Sequence, residues 1–431
     1  MSKNVFFLSL GCKVNRYETD AVRASFENRG YKTTDCPQEA DVYIVNTCTV
    51  TGEADRKSRQ MIRKARKTAP NAVIVAMGCH VEMNENEQLA DLSFGTAGRS
   101  SIVDEVEAYM ALSKNDSEAK NSIAQLPIET DYFERGPVLS REETRAFIKI
   151  EDGCNNFCSY CIIPFARGRV RSRSREAILQ EIEALGLRGF HEFVLTGIHI
   201  CSFEKELGHD ISALSELLVA IEAIPNVRRI RLGSLEPYSI TPAFISTIKT
   251  LSKLCPHFHL SLQSGCDTVL ARMNRKYTSA EYEAVVMQIR EAMPQALFTT
   301  DIIVGFPGET EEEHDASMAF CKKISFSHIH VFPYSKRDGT KAAAMKEHVS
   351  PEVQARRAEA FRLLSEQMEN SILSRYEGKP VDVLVEKLHD DGSFTGYSAE
   401  YLKSRGNACD ITNSAPFEPG DIVRIPFQRA E

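Results

Sequence analysis

No apolar run in this 431-residue chain approaches the length of ~20 residues that crosses a bilayer, so membrane-spanning helices are not expected. The start, MSKNVFFLSLGCKVN, has a lysine and a short apolar run but no cleavage-site pattern, and no secretory signal is expected. An excess of basic residues is also missing. The formal net charge of −8 argues against a generic nucleic-acid coat, yet leaves room for RNA binding through local patches. Apolar content of 42% and charged content of 26% are ordinary for a soluble globular protein, and the length predicts two or three domains. Twelve cysteines without an export signal point to a reducing, cytoplasmic compartment, where thiolates stay available for metal.

Six of those cysteines fall into two sets of three, and each set lacks a fourth member. Cys154, Cys158 and Cys161 are packed as C-x-x-x-C-x-x-C in GCNNFCSYC. A zinc site would want a fourth Cys or His at short range, and none follows before His191. An iron–sulfur cubane held by three thiolates keeps one iron open, and an open position is where chemistry happens. The second set, Cys12, Cys48 and Cys79, has no metal spacing of its own. Each member follows a short β-branched run: VFFLSL, VYIVNT and AVIVAMG. Helical stretches near Thr19–Arg29 and Ala54–Thr68 lie between, giving a β-α-β-α-β order and hence a parallel sheet. All three cysteines then emerge at its carboxyl edge, where open α/β sheets place ligands. The alternative is three buried structural cysteines. Core packing is the reading for Cys36, Cys201, Cys255, Cys266, Cys321 and Cys409, which are scattered.

The segment GCNNFCSYCIIPFARGRVRSR resembles the cluster loop of radical S-adenosylmethionine (SAM) enzymes, and most closely that of their methylthiotransferases. LGCKVNRYETDAV, VNTCTVT and MGC are similar to the three cysteine motifs of that family's amino-terminal domain, which hold an auxiliary 4Fe–4S cluster. GCKVNRYET further resembles the branch that modifies N6-threonylcarbamoyladenosine in tRNA. The resemblance implies two 4Fe–4S clusters, one on Cys12, Cys48 and Cys79 and one on Cys154, Cys158 and Cys161, with SAM chelated to the open iron of the second. It also places Tyr160 near the adenine of SAM.

From Arg145 onward, strands are predicted near Phe147–Ile150, Glu192–Leu195, Val227–Leu232, Phe258–Leu262, Phe298–Val304 and His328–Phe332, separated by amphipathic stretches. Six β/α units suggest an incomplete parallel barrel with its active face at the carboxyl ends of the strands. By the resemblance, Thr196 and Gly197 approach the amino group of SAM, and Ser234, Glu236, Gln263 and Arg275 lie near SAM or substrate. The glycine-rich turn with Gly305 and Gly308 lets backbone approach an adenine. Strand-end polar residues of this kind also cap helices, and that reading stays open.

Residues 112–142 are polar and read as a linker with surface loops. Residues 351–376 read as one long helix, and short alternating strands from Lys379 suggest a small β-barrel resembling the RNA-binding TRAM domain. That tail carries nine acids against six Lys and Arg, so RNA contact there would go through Phe394, Tyr397 and Tyr401. Alternatively, the barrel merely packs on the enzyme. Two basic patches, Arg56–Lys67 and Arg167–Arg175, are the expected phosphate contacts, with a solvated face as the alternative for each and a partly structural role also open for the arginine run.

The expected fold is α/β: a parallel α/β domain over 1–125, a (β/α)6 radical SAM barrel over 143–375 and a TRAM-like β-barrel over 376–431. The expected reaction replaces the C2 hydrogen of N6-threonylcarbamoyladenosine at position 37 of tRNA with a methylthio group. The expected partners are the tRNA anticodon stem-loop and a reductant protein, with no membrane. Isopentenyladenosine in tRNA or a ribosomal protein are alternative substrates, and a non-catalytic iron–sulfur RNA sensor is an alternative of a different class.

Overall fold

A computed structural model describes residues 3–84, 87–96, 99–112, 144–407, 411 and 416–430. The whole polar stretch between Leu112 and Thr144, and Cys409, lie outside the described residues. The chain divides into two compact units. One comprises Met1–Ser140, Asp152–Arg173 and Ser335–Thr340; the other comprises Arg141–Glu151, Ser174–Tyr334 and Lys341–Glu431. The compact cysteine triple therefore groups with the amino-terminal sheet.

In the first unit, β1 (Asn4–Ser9), β2 (Lys32–Thr33), β3 (Val42–Thr47), β4 (Val73–Gly78) and β5 (Leu92–Phe94) form one parallel sheet in the order β2-β1-β3-β4-β5. Crossovers include α1 (Lys13–Asn28) and α2 (Gly52–Thr68), as the apolar runs predicted. The β3 sequence VYIVNT is buried at every position, as a central strand covered on both faces must be. Val5, Val42, Ile44, Val75 and Met77 pack with Phe26 of α1 on one side; Tyr43, Val45, Ile74 and Ala76 pack with Ile62 and Ala65 of α2 on the other. After β4 come the short α3 (Cys79–Met83), then α4 (Ile102–Ala111) and, from the cysteine segment, α5 (Ile163–Arg167).

The second unit carries all six predicted parallel strands: β6 (Arg145–Lys149), β7 (Glu192–Thr196), β8 (Arg229–Leu232) with its short extension β9 (Ser234–Leu235), β10 (His257–Leu260), β11 (Leu297–Val304) and β12 (His328–Pro333). They form ladders β8-β7-β6 and β9-β10-β11-β12. Bonds from Ile230 N to Lys253 O and from Cys255 N to Ile230 O join β8 to the segment leading into β10. Helices α6 (Arg175–Gly186), α7 (Ser212–Glu222), α8 (Pro242–Ile248), α9 (Asp267–Arg272), α10 (Ser279–Ala292) and α11 (Glu311–Ile324) alternate with the strands. α10 and α11 each start on a threonine capping box, Thr278 with Glu281 and Thr310 with Glu313. The long helix α12 (Pro351–Tyr376) starts on a Ser350 cap with proline in its first turn.

The tail forms an antiparallel sheet of β13 (Pro380–Leu388), β14 (Ser393–Ser398), β15 (Lys403–Asn407) and β16 (Ile422–Pro426), in the order β15-β14-β13-β16. A bridge between Ser404 and Arg429 curls the far edge back on β15. Phe394 is fully buried in this sheet's core with Val383, Val385 and Ile425, so it offers no face to a base. Tyr397 and Tyr401 are half-buried and stacked 4.8 Å apart, with the Arg145 guanidinium over both and Arg231 over Tyr401. Arg229 and Arg231 reach backbone carbonyls of Asp382, Tyr397, Ser398 and Ala399 while both pair with buried Glu192. Of the two readings of the tail's aromatics, packing on the barrel is the one this arrangement matches. Among the described residues, no helix is long and apolar enough to cross a membrane.

Candidate active site

The parallel sheet delivers its three cysteines to one edge. Cys12 is the residue before α1, Cys48 follows β3 directly, and Cys79 opens α3. Close approach is built into the glycines beside them. Gly11 has φ +99°, and a Cβ there would stand 2.8 Å from Cys48 Cβ and 3.0 Å from its Sγ. Gly78 has φ +97°, and a Cβ would meet Asn46 Oδ1 at 2.5 Å. Asn15 Nδ2 donates to Leu10 O and Thr47 O, each at 2.8 Å, tying the Cys12 loop to the end of β3. Ser58 of α2 holds the Cys48 backbone from both sides, accepting from its N–H at 3.0 Å and donating to its carbonyl at 2.9 Å.

Cys48 and Cys79 are buried and Cys12 is exposed. Burial raises the Cys48 thiol and pushes Cys79 up to about 12, with Cys12 adding to both shifts and Arg167 opposing them. Three thiols converging on one sheet edge, two of them held protonated by burial until a metal takes their protons, suit an iron–sulfur cluster.

The compact triple is half-buried. Gly153 (φ +81°) precedes it, where a Cβ would collide with the Arg169 carbonyl oxygen. Cys154 N donates to Gly168 O at 3.1 Å and Cys161 N to Cys158 O at 3.0 Å, folding the loop on itself. Tyr160 is half-buried within it.

Arg167, at the end of α5, takes the structural role left open for the arginine run rather than that of a phosphate contact. Its side chain is 1% exposed. Nη1 donates to Glu18 Oε1 (2.8 Å) and Asp152 Oδ1 (3.0 Å), and Nη2 donates to Asn15 Oδ1 (2.8 Å) and Glu18 Oε2 (3.2 Å). Burial works against its charge, but Asp152, Cys79 and Glu18 keep it protonated. Arg99 also pairs with Glu18. Elsewhere in the run, Arg171 pairs with Asp152, Arg173 reaches Tyr17 Oη at 2.9 Å, and Arg175 pairs with Glu204 and Glu216. The arginine run is thus mostly an internal brace, and only Arg169 is exposed without an acidic partner among the described residues. The other patch is different. Arg63, Lys64 and Lys67 on α2 are exposed and line a shallow groove with Arg56, Arg59 and Gln60.

In the second unit, Thr196 is buried at the end of β7. Gly197 leaves room for Glu151, whose Oε1 would collide with a Cβ there and which accepts the His199 N–H. Glu236 is half-buried and paired with Arg275, whose guanidinium also stacks over Tyr277. Gln263 takes a left-handed backbone (φ +68°) and bridges to β11 through Asp301 O and Ile303 N. Ser234 is exposed. Gly305 (φ +70°) lies where Gln354 of α12 would clash with a Cβ; Gly308 (φ +74°) donates to Glu347 O at 2.9 Å. The sequence reading brought Glu236 and Arg275 to one place but did not register Glu151, Glu18 or Asn15. Glu151 was findable, since it stands between the first barrel strand and the compact triple.

Residues 4–95 match the uncharacterized protein family UPF0004, and residues 148–321 match the radical SAM superfamily. The threonylcarbamoyladenosine tRNA methylthiotransferase MtaB of Bacillus subtilis is 38% identical over 93% of this chain and 89% of its own length. Its namesake from Aquifex aeolicus is 36% identical over 98% and 99%. The chain belongs to the radical SAM methylthiotransferase family. A tRNA-2-methylthio-N(6)-dimethylallyladenosine synthase of Acetivibrio thermocellus is also similar, 33% identical over 93% of this chain and 83% of that protein. Among solved structures, the radical SAM methyltransferase TsrM of Kitasatospora setae shares the fold (TM-score 0.56, 16% identity, 77% of this chain and 73% of that one). Enzymes of this methylthiotransferase family use SAM and 4Fe–4S clusters.

Proposed function

We propose that this enzyme replaces the C2 hydrogen of N6-threonylcarbamoyladenosine at position 37 of tRNA with a methylthio group. The observation that carries this reading is the gathering of Cys12, Cys48 and Cys79 at one sheet edge, in a chain whose radical SAM segment carries the compact triple. Its relatives named for threonylcarbamoyladenosine supply the substrate. The C2–H bond of adenine is neither acidic nor easily displaced, so an acid–base pair would not activate it. Clusters on Cys154, Cys158, Cys161 and on Cys12, Cys48, Cys79 would supply, with SAM, the hydrogen-abstracting and sulfur chemistry.

The chain's own residues position. Arg167 keeps a fixed positive charge beside the first cysteine set and clamps α5 to Glu18 of α1. Glu151 and Gly197 keep the Thr196 turn narrow, in support of a place for the SAM amino group. The cationic face of α2 would take backbone phosphates of the anticodon stem-loop, whose unpaired bases are exposed at little cost. A reductant protein would feed the clusters, and the cytoplasm is the proposed location.

Nucleoside analysis of tRNA from a deletion strain tests the reading. The methylthiolated threonylcarbamoyladenosine should vanish and return on complementation; an unchanged pool defeats it. The similarity to dimethylallyladenosine synthases favours one second reading, and loss of methylthiolated isopentenyladenosine instead would establish it.

A further inference from the structure

We propose that His259, Asp301 and His330 form a binding site for one divalent transition-metal ion, with none of the cysteines among its ligands. Along β10, β11 and β12 the side chains alternate between faces. Phe258, Leu260, Phe298, Thr300, Ile302 and Ile329 go to the buried apolar face. His259, Asp301 and His330 go to the other, one from each of three adjacent parallel strands. Asp301 is directly opposite His330, and His259 is opposite Thr299, two residues before Asp301. This register brings one donor atom from each residue within 4.8 Å of the others. Metal–ligand bonds of about 2.0–2.2 Å place neighbouring donors roughly 3.3 Å apart, so small side-chain rotations close the set.

The surroundings hold one ring in a ligand's orientation. His259 Nδ1 lies 3.0 Å from Thr299 Oγ1, and Nε2 lies 3.3 Å from Asp301 Oδ2. With Nδ1–H donated to the threonine, the Nε2 lone pair points at the centre of the triad, which is how metal-binding histidines are commonly held. Thr299 Oγ1 is in turn 3.2 Å from His257 Nε2, so the hydroxyl is itself fixed. Two imidazoles and one carboxylate on a single face leave further coordination positions open, a donor set used by Fe²⁺, Mn²⁺ and Zn²⁺. The site opens to solvent through His330, which is exposed.

The test uses the full chain with its clusters reconstituted, so that the cysteine thiolates are occupied, after passage over a chelating resin. Zn²⁺ is titrated calorimetrically and zinc is counted after dialysis. One zinc per chain is expected, with a rise in melting temperature. H330A and D301N should each weaken binding at least about 100-fold, at or beyond the top of the range for losing a group that only orients a ligand. H389A, on the carboxyl-terminal sheet, should leave it unchanged. H330A removes an exposed side chain, and its own melting temperature without zinc reports that it folds. Absence of zinc binding, or equal affinity in wild type, H330A and D301N, overturns the proposal and leaves His259 and Asp301 as a polar contact between adjacent strands.

Discussion

Arg167 and Glu18, 149 residues apart in the chain, meet through two hydrogen bonds inside the first unit. The arginine closes α5 and the glutamate lies one turn into α1, so each follows a different set of cysteines. Their joining ties the two sets of cysteine-bearing segments into one framework.

Removing that arginine leaves Glu18 and Asp152 buried without their main counter-charge. Arg167→Met should therefore destabilise the protein by about 3–5 kcal/mol, the range for breaking a buried ion pair from one side. Chemical denaturation measures it. Arg167→Lys should recover only part, because a point ammonium cannot reproduce the forked bonds to Glu18, Asp152 and Asn15.

Alanine at Cys154, Cys158 and Cys161 together should leave about four irons per chain, the content of one cubane cluster. Alanine at Cys12, Cys48 and Cys79 should do the same. Iron analysis of anaerobically reconstituted protein checks both. If either triple variant loses all iron, the two sets do not form independent sites.

Charge reversal at Arg63, Lys64 and Lys67 should weaken tRNA binding and lower the slope of log affinity against log salt by roughly 0.7–0.9 for each phosphate left without its cation. Arg66 is left out because it pairs with Asp91 and donates to the Ala72 carbonyl. These three side chains are exposed, so melting temperature should hardly move. An unaltered salt slope would return α2 to the role of a solvated face.

His199 gives a pH signature. Burial, aided by Lys205 and Arg275, lowers its pKa to about 3, so the folded state keeps the ring neutral while the unfolded chain protonates it near the ordinary 6.5. Between those values the unfolded state binds the extra proton. Stability from this group is complete above about pH 6.5 and declines as pH falls toward 3, by at most about 1.4 kcal/mol per pH unit. Denaturation of wild type and His199→Gln across that range should show a shallower acid loss in the variant.

The elements were legible because they are written locally. The β-branched runs before Cys12, Cys48 and Cys79 announced β1, β3 and β4, and the same reading found all six barrel strands and the 351–376 helix. Placing three distant cysteines together needed only the handedness of parallel crossovers. The residues whose reading stayed open depend on partners that no local pattern reveals. Arg167–Arg175 looks like a phosphate-binding run until Glu18, Asp152, Glu204 and Glu216 are seen opposite it. Alternation put Phe394 on one face of its strand, but could not say that this face was the covered one. The His259 triad is spread over three strands and emerges only from their register.

The grip of Arg229 and Arg231 on the tail has a consequence for how this chain can vary. Both hold main-chain carbonyl oxygens, a feature every amino acid possesses. Substitutions across the outer surface of the tail sheet can thus accumulate, altering what that surface recognises, while the joint that fastens it to the barrel stays the same.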